Sequence, residues 1–356
     1  MKLFAVGPVE MYPETMEIGG KQVPYFRNEE FSQVVLHTMD MLKESVNAPE
    51  GSEAIMLACS GTGAMEAAVM NCFSESDKVL VIDGGSFGHR FVELCQIHNI
   101  PYTPLAVDRG ETLTRNMLEQ ATGEEKFTGL LVNIHETSTG QLYDKQMLSD
   151  FCKERELFFA VDAISSYLAD ELDMCRYGID LVIASSQKAL ALAPGLSMIV
   201  ASPNALQRAE NSTQKTMYFD FRSYISNGKR GQTPFTPSIR VMYELEDRLT
   251  RIYEKGVDKV ISETAEIAED FRKKIREIGL SFPDYPLSNF ETPVIFPENS
   301  ADAYEVFLQL EKEYGFVVNP NGGDLASVQF RVGHIGNHSI EDNDMLVDAI
   351  RQIMDK

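Results

Sequence analysis

Short apolar runs alternate with amphipathic stretches through the middle of this chain, and this alternation limits the possible folds more than any other feature of the sequence. The apolar runs predict six strands, at 54–58, 78–82, 129–134, 158–163, 180–185 and 197–202. Between them, apolar residues recur three and four positions apart, as in helices that pack on a sheet. Strands that alternate with helices are typical of βαβ units. The sequence therefore predicts an α/β fold with a mostly parallel central sheet flanked by helices.

The pattern changes after Pro203, which indicates a second structural unit. A polar stretch with glycine and proline at 221–238 interrupts the alternation, and a helical run follows from about Ile239 to Ile278. The remaining strand-like and helix-like segments predict a small α+β domain at the C-terminal end. We expect a large domain over residues 15–238, and a small domain over residues 239–356 that also contains the N-terminal segment 1–14.

Composition excludes several classes of partner. The 356 residues contain 32 Lys and Arg against 54 Asp and Glu, which gives a formal net charge of -22. A field of this sign repels nucleic acid and anionic lipid headgroups, and no apolar run approaches the ~20 residues of a membrane span. The five cysteines are scattered without a C-x-x-C pair, so neither a disulfide framework nor a metal site is predicted. We expect a cytoplasmic protein that binds neither nucleic acid nor membranes.

The segment Ser60-Gly61-Thr62-Gly63 joins the first predicted strand directly to a helical pattern. Such a turn points backbone N–H groups and the positive end of a helix dipole at an anion. The segment is neither a Walker A loop nor a G-x-G-x-x-G motif. The same residues also fit a plain helix start, with Ser60 as N-cap and glycines that ease the turn, and on this motif alone we favour that interpretation.

Two more polar residues follow predicted strands. Asp162 directly follows the apolar run FFAV, at the carboxyl end of a predicted strand, where open α/β sheets bind ligands. An Asp at this position also suits a helix N-cap. Lys188 follows the next strand among Ala and Leu residues, where burial would make its amine nucleophilic; an isolated Lys more often extends to solvent. An anion loop, a carboxylate for a protonated ring nitrogen and an amine for a Schiff base are what pyridoxal 5'-phosphate requires. Their order along one sheet predicts a site for this cofactor.

Motifs along nearly the whole chain resemble one enzyme family. They are GPVEMYPE, SGTGAMEAA, GGSFGHR, HETSTG, VDAISS, SSQKAL, FTPS and FRVGHIG, in this order. The chain resembles the class V, fold type I aminotransferases that depend on pyridoxal phosphate, especially the alanine-glyoxylate, serine-pyruvate and 2-aminoethylphosphonate-pyruvate branch. The resemblance implies a homodimer that transfers the amino group of a small amino acid or aminophosphonate to pyruvate or glyoxylate by a ping-pong mechanism.

The resemblance also implies roles for individual residues. The cofactor-binding residues would be Ser60, Gly61, Thr62, Phe87, Ser138, Asp162, Gln187, Lys188 and Thr236. Lys188 would form the Schiff base and Asp162 would pair with the ring nitrogen, so these two would be catalytic. Thr236 would reach the phosphate of the partner subunit. Arg331 would hold the substrate carboxylate, and Gly7 would line the substrate entrance.

Other interpretations stay open. Taken alone, Phe87 also fits an ordinary core aromatic, and Arg331 a surface ion pair. The chain is also consistent with another fold type I enzyme, a cysteine desulfurase or small amino-acid lyase, or with a nonenzymatic effector-binding protein. The sequence leaves the amino donor open, and it assigns no role to Arg27, His89, Arg90 and His135.

Overall fold

The computed structural model of the protein describes residues 1–298 and 300–355. Within these residues the strands are β1 (Lys2–Leu3), β2 (Glu53–Leu57), β3 (Val79–Asp83), β4 (Tyr102–Ala106), β5 (Gly129–Asn133), β6 (His135–Glu136), β7 (Gln141–Leu142), β8 (Phe158–Asp162), β9 (Leu181–Ser185), β10 (Ser197–Ala201), β11 (Glu291–Ile295), β12 (Phe316–Val317), β13 (Asn319–Pro320) and β14 (Gln329–Gly333).

The α-helices of the same residues are α1 (Pro13–Gly19), α2 (Glu29–Ser45), α3 (Gly61–Cys72), α4 (Gly88–Ile97), α5 (Arg115–Thr122), α6 (Lys145–Glu154), α7 (Met174–Tyr177), α8 (Pro203–Asn211), α9 (Phe221–Gly228), α10 (Ile239–Lys255), α11 (Val257–Glu277), α12 (Ala303–Gln309) and α13 (Ile340–Met354). In the described ranges, none of these helices combines the length and the apolar character that a membrane crossing requires.

Seven strands form the central sheet, in the order β2-β10-β9-β8-β5-β3-β4. Strand β10 runs antiparallel to both of its neighbours, and the other neighbouring pairs are parallel. Helices cover the sheet, so the predicted α/β architecture is confirmed. The six predicted strands are β2, β3, β5, β8, β9 and β10, each shifted by no more than one residue at either end.

The apolar runs of the inner strands reflect burial on both faces of the sheet. All residues of β5, β8, β9 and β10 are buried. Because successive side chains point to opposite faces, Leu130 and Phe159 belong to one hydrophobic cluster, and Leu131 and Phe158 to another. The sheet is therefore the centre of two cores, and its strand ends are held rigidly.

Strand β4 is the one strand of this sheet that the sequence analysis missed. It lies at the sheet edge, pairs only with β3 and is half-buried or exposed along its length. It also contains Pro104, which cannot donate a backbone hydrogen bond and is tolerated at an edge. A strand of this composition has no continuous apolar run to reveal it.

The segment after Pro203 differs in part from the expectation. The first part of the polar stretch 221–238 forms helix α9, and the long helical run is divided into α10 and α11 at Gly256, whose φ is +94°. Helix α10 packs its apolar face into the core of the central sheet. The domain limits of 15–238 and 239–356 stay a prediction.

A second, smaller sheet lies in the C-terminal part of the chain. Strands β11, β14 and β13 pair in this order, all antiparallel. Helices α11, α12 and α13 cover it and share a separate hydrophobic cluster. The N-terminal strand β1 pairs with β12, so the chain begins beside this sheet and then passes toward the central one.

The packing of the central core can be tested by truncating the side chain of one leucine. We expect Leu130→Ala, on β5, to lower the free energy of unfolding by about 2–5 kcal/mol, because the residue is fully buried and leaves a cavity. Leu308→Ala is the matched control, since Leu308 is 39% exposed and should lose far less. Urea unfolding of both variants measures the difference, and equal losses would contradict the proposed core.

Candidate active site

A cleft of about 200 Å³ lies where β2, β8 and β9 end. It is lined by Ser60, Gly61, Thr62, Met65, Phe87, Arg90, His135, Thr137, Asp162, Ile164, Ser165, Gln187 and Lys188. Strands β8 and β9 are parallel neighbours, so the loops after them meet at one edge of the sheet. The fold therefore brings together seven of the residues that the sequence singled out.

The turn between β2 and α3 supplies one end of the cleft. Ser60 occupies the N-cap position of α3, but its hydroxyl makes no capping hydrogen bond within the described residues. Among the described residues, the backbone N–H groups of Gly61 and Thr62 likewise have no hydrogen-bond acceptor. A Cβ on Gly61 would lie 2.5 Å from Cδ1 of Ile164, so a larger residue there would displace the Ile164 side chain. Free donors at a helix start suit an anionic group such as phosphate.

Asp162 is the last residue of β8 and is 5% exposed. Its Oδ1 accepts a hydrogen bond from the backbone N–H of Ile164 (2.8 Å), and no ion pair involves it in residues 1–298 and 300–355. Burial raises the pKa of the Asp162 carboxyl to about 7, with Glu136 adding to the effect and Lys188 and Arg90 opposing it. A buried carboxyl without a cationic partner is suited to a protonated nitrogen brought by a ligand.

Lys188 lies in the loop after β9 and points into the cleft. Its Nζ donates a hydrogen bond to the backbone carbonyl of Val6 (2.6 Å). Burial lowers the pKa of the Lys188 amine to about 8, and this effect exceeds the opposing charges of Glu291 and Asp162. The side chain is therefore not one that simply extends to solvent. An amine with this pKa is partly unprotonated near neutral pH and can act as a nucleophile.

Gly7 packs directly against Lys188. A Cβ on Gly7 would lie 2.8 Å from Cδ and 3.0 Å from Nζ of Lys188, and its φ of +121° also favours glycine. Gly7 is outside the set that lines the cleft in this structure. The N-terminal segment nevertheless forms the wall behind the lysine, which explains why a glycine is needed in GPVE.

Phe87 is held in the cleft wall by a buried carboxylate, that of Glu136. Glu136 is 0% exposed and accepts hydrogen bonds from the backbone N–H of Gly88 (2.9 Å) and from Nδ2 of Asn133 (2.7 Å). The backbone N–H and the hydroxyl of Ser138 also donate to it. Glu136 thus fixes the loop that carries Phe87. The sequence contains this Glu in HETSTG, but nothing in the motif shows which part of the chain it binds.

Within HETSTG the structure places Thr137, and not Ser138, on the cleft surface. The Ser138 hydroxyl is used by Glu136, while the Thr137 hydroxyl donates to Oγ of Ser165 (2.8 Å). Both residues lie in the turn after β6, where the N–H groups of Thr139 and Gly140 donate to the carbonyl of Glu136. The order of the hydroxyl residues in HETSTG does not show which of them such a turn directs at the cleft.

Arg331 reaches the edge of the cleft from the small sheet. Its Nη1 donates to the backbone carbonyl of Thr137 (2.6 Å) and its Nε to Oδ1 of Asn321 (3.2 Å). Arg331 lies on β14, so a residue remote in sequence is placed beside a residue of the central domain. It does not line the cleft itself but adjoins a residue that does.

Of four further residues that were predicted or left without a role, one lines the cleft and three lie outside it. Gln187 lines the cleft, and its Oε1 accepts a hydrogen bond from the Ser185 hydroxyl (2.7 Å). Thr236 is exposed and lies outside the cleft of its own chain. Arg27 binds Gln232 and Thr233 away from the cleft, and His89 binds Asp83.

Six lining residues were not among the predicted site residues: Met65, Arg90, His135, Thr137, Ile164 and Ser165. Arg90 stacks on the ring of Phe87 (4.7 Å from the ring centre) and donates to Oγ1 of Thr62 (2.8 Å). All six lie within the motifs SGTGAMEAA, GGSFGHR, HETSTG and VDAISS, and this membership was the available signal. Among the described residues, no group of three or more His, Cys, Asp or Glu is arranged to hold a metal ion.

The role of Glu136 can be tested by removing its charge. We expect Glu136→Gln to lower the free energy of unfolding by about 1–3 kcal/mol, because one of its two acceptor positions becomes an NH2 group that cannot accept a hydrogen bond. Hydrogen exchange at residues 85–88 should speed up as their loop loosens. The matched control is Glu93→Gln on the exposed side of α4. Unchanged exchange in the Glu136 variant would show that the carboxylate does not hold this loop.

Comparison with known proteins places the chain in a family. Residues 21–322 match the family model described as Aminotransferase class-V. An L-aspartate–glyoxylate aminotransferase of Paracoccus denitrificans is 26% identical over 345 residues, which cover 94% of this chain and 86% of that protein. A protein named as the small subunit of a soluble hydrogenase, from a Synechococcus species, is 26% identical over 361 residues, which cover 99% of this chain and 92% of that protein.

One solved structure is similar in fold to this chain over its full length. The crystal structure of an aspartate aminotransferase of subgroup IV from Thermus thermophilus has a TM-score of 0.90 and 26% identity, and the match covers 100% of this chain and 99% of that one. The names of these relatives describe different activities, so the comparisons establish a family rather than one reaction. The chain belongs to the class-V aminotransferases, enzymes whose cofactor is pyridoxal 5'-phosphate.

Proposed function

We propose that this aminotransferase moves the amino group of a small amino acid or aminophosphonate to pyruvate or glyoxylate by a ping-pong mechanism. The observation that carries the proposal is the pair of Lys188 and Asp162 at neighbouring strand ends, both facing one cleft. The names of relatives support the acceptor, since one of them acts on L-aspartate and glyoxylate. The donor is the part of the proposal that an experiment must decide.

The residues of the cleft fit pyridoxal 5'-phosphate. The free N–H groups of Gly61 and Thr62, with the Ser60 hydroxyl, would hold its phosphate. Asp162, buried and without an ion pair in the described ranges, would face its ring nitrogen, and Phe87 would pack on the ring. Gln187 lines the same cleft and would bind near the phosphate. In place of Ser138, Thr137 is the hydroxyl that we propose for the cofactor, because it lies on the cleft surface.

When bound, the cofactor supplies an electron sink and carries the amino group between the donor and the acceptor. Asp162 would hold a proton on the ring nitrogen, because a carboxylate in this buried position is stabilised by an adjacent positive charge. Lys188 would supply the amine for the covalent link to the cofactor, and its free amine would accept the proton from the substrate Cα. The low pKa of its amine, about 8, suits both tasks.

Arg331 is proposed to hold the substrate carboxylate. A guanidinium presents parallel N–H donors that match a carboxylate in a bidentate pair. Its Nη1 is already directed at the backbone carbonyl of Thr137 on the cleft wall, 2.6 Å away. Gly7 packs against Lys188, and the absence of a Cβ leaves space beside Cδ and Nζ of the lysine. The substrate would therefore bind between the N-terminal segment and the small sheet.

We also propose a homodimer in which Thr236 contributes to the site of the partner subunit. Thr236 is exposed and lies next to Phe235, whose ring stacks on Tyr218 (5.1 Å between ring centres). Met217, in the same surface region, is 75% exposed. Apolar and aromatic side chains at a surface suit contact with another protein chain.

Absorption spectroscopy tests the reaction and names the donor. We expect the visible band of the purified protein to disappear on addition of one of L-alanine, L-serine, L-aspartate or 2-aminoethylphosphonate, and to return with pyruvate or glyoxylate. Double-reciprocal plots with both substrates should be parallel lines, as in a ping-pong mechanism. Lys188→Ala should bind cofactor without a covalent link that borohydride can reduce, and should lose turnover. Full transamination by that variant, or release of sulfide from cysteine instead, would contradict the proposal.

The role of Arg331 predicts an effect that depends on the donor. We expect Arg331→Gln to raise KM for donors with an α-carboxylate by about 10-fold or more, since a hydrogen bond between charged groups contributes about 1.5–3 kcal/mol. In the half-reaction with 2-aminoethylphosphonate, which has no α-carboxylate, the loss should be smaller. Arg351→Gln, at an exposed ion pair on α13, is the control. Equal losses for all donors would assign Arg331 to the fold and not to the substrate.

A further inference from the structure

Glu291, the first residue of β11, is a buried carboxylate that the proposed reaction does not use. It is 0% exposed, and neither of its carboxylate oxygens accepts a hydrogen bond within residues 1–298 and 300–355. Its Oε1 lies 3.4 Å from Nε2 of His135, which lines the cleft. An ionised carboxylate at this depth without compensation is costly. The surroundings of His135 therefore decide the charge of Glu291.

The hydrogen bonding of His135 fixes the position of one proton. Its Nδ1 lies 3.2 Å from the backbone carbonyl oxygen of Ser165, and the side chain is fully buried. A carbonyl oxygen has no proton to donate, so Nδ1 must carry hydrogen. The opposite ring orientation would direct C–H groups at both the carbonyl and the carboxylate. The observed orientation thus leaves Nε2 to interact with Glu291.

A second proton is required between Nε2 and the carboxylate. Without it, the lone pair of Nε2 would face the negative charge of Glu291, and both buried groups would be without a partner. We propose that His135 and Glu291 share one proton and form a buried pair without net charge beside Lys188. In this pair the imidazole holds the shared proton, and the carboxylate of Glu291 balances its charge. The significance of this pair for catalysis depends on the proposed function of Lys188.

The pair adjoins Lys188 through Phe290. The Lys188 Nζ lies 5.4 Å from the ring centre of Phe290, and the His135 ring lies 5.3 Å from it. Burial lowers the pKa of Lys188, while an ionised Glu291 would oppose this effect more than Asp162 does. The shared proton reduces that opposition. His135 is therefore a positioning residue, which keeps Glu291 from becoming a second counter-ion to the lysine.

Other charged groups act on the same region and must stay constant in a test. Arg272 of α11 donates from Nη2 to the backbone carbonyl of Glu291 (3.0 Å), and Tyr285 also faces the Glu291 charge. Charges that act on Lys188 besides Glu291 come from Asp162, Arg331 and Arg90. None of these is altered by changing His135. A substitution at His135 therefore isolates the shared proton.

Nitrogen NMR of the full-length protein with 15N-labelled histidine tests the proton directly. The chain has six histidines, and the signal absent from His135→Gln belongs to His135. We expect both Nδ1 and Nε2 of His135 to be protonated. In Glu291→Gln, Nε2 should become an ordinary unprotonated nitrogen. A wild-type Nε2 that gives the signal of an ordinary unprotonated nitrogen, or an unchanged spectrum in Glu291→Gln, would overturn the proposal.

Chemical labelling of Lys188 tests whether the His135–Glu291 pair limits the effect of the Glu291 charge on the Lys188 amine. The full-length chain prepared without cofactor is treated with dinitrofluorobenzene over a range of pH, and mass spectrometry of the Lys188 peptide gives the pKa of the amine. His135→Gln removes the holder of the proton and exposes Lys188 to the Glu291 charge. We therefore expect a rise of about one pH unit. The double variant His135→Gln with Glu291→Gln should return toward the wild-type value.

A matched control uses a second histidine–glutamate pair. His98 Nε2 lies 3.1 Å from Oε1 of Glu66, and neither residue is among the groups that act on Lys188. His98→Gln should leave the Lys188 pKa unchanged. An unchanged pKa in His135→Gln would overturn the proposal. Because both measurements need no cofactor, they are independent of the borohydride experiment, so failure of the pair and failure of the proposed function are distinguishable.

Discussion

The parallel pairing of β8 with β9 is the constraint on which the site depends. This pairing aligns Asp162, the last residue of β8, with Ile183 of β9. Strand β8 therefore ends two residues before β9, which continues to Ser185. The loop after β9 therefore spans only a short distance to place Lys188 in the same cleft as Asp162. Since both strands are buried on both faces, their ends cannot shift without disturbing two cores. The sheet thus fixes the position of the Asp162 carboxyl and the point from which the short loop to Lys188 starts.

The sequence predicted those parts of the site that follow directly from strands. Asp162 ends a continuous apolar run, and Ser60 and Lys188 each lie three residues beyond the end of one, so their place at the sheet edge could be deduced. Strand β4 could not be found, because an edge strand with Pro104 has no such run. Thr137 was missed for a related reason. Strand β6 ends at Glu136, and Thr137 and Ser138 lie in the turn after it, where no periodic pattern separates the two hydroxyl residues.

Contacts between the two sheets were beyond sequence reasoning for another reason. Arg331 and Glu291 come from the small sheet, yet their side chains meet residues of the cleft wall, Thr137 and His135. Local periodicity predicts which face of a strand is buried, but it contains no information on which distant segment covers that face. The resemblance supplied a role for Arg331. Nothing in the sequence connects Glu291 with His135, and only the fold does so.

Charge balance links these contacts to the chemistry. The proposed role of Lys188 requires an amine of low pKa, which burial provides, and every carboxylate placed near it works against that effect. The proposed role of Asp162 at the ring nitrogen requires one such carboxylate, and burial raises the pKa of Asp162 as well. Glu136 is saturated by hydrogen bonds to the loop of Phe87. Glu291 has no such donors in the described residues, so a proton shared with His135 is the way in which this site can keep its lysine reactive.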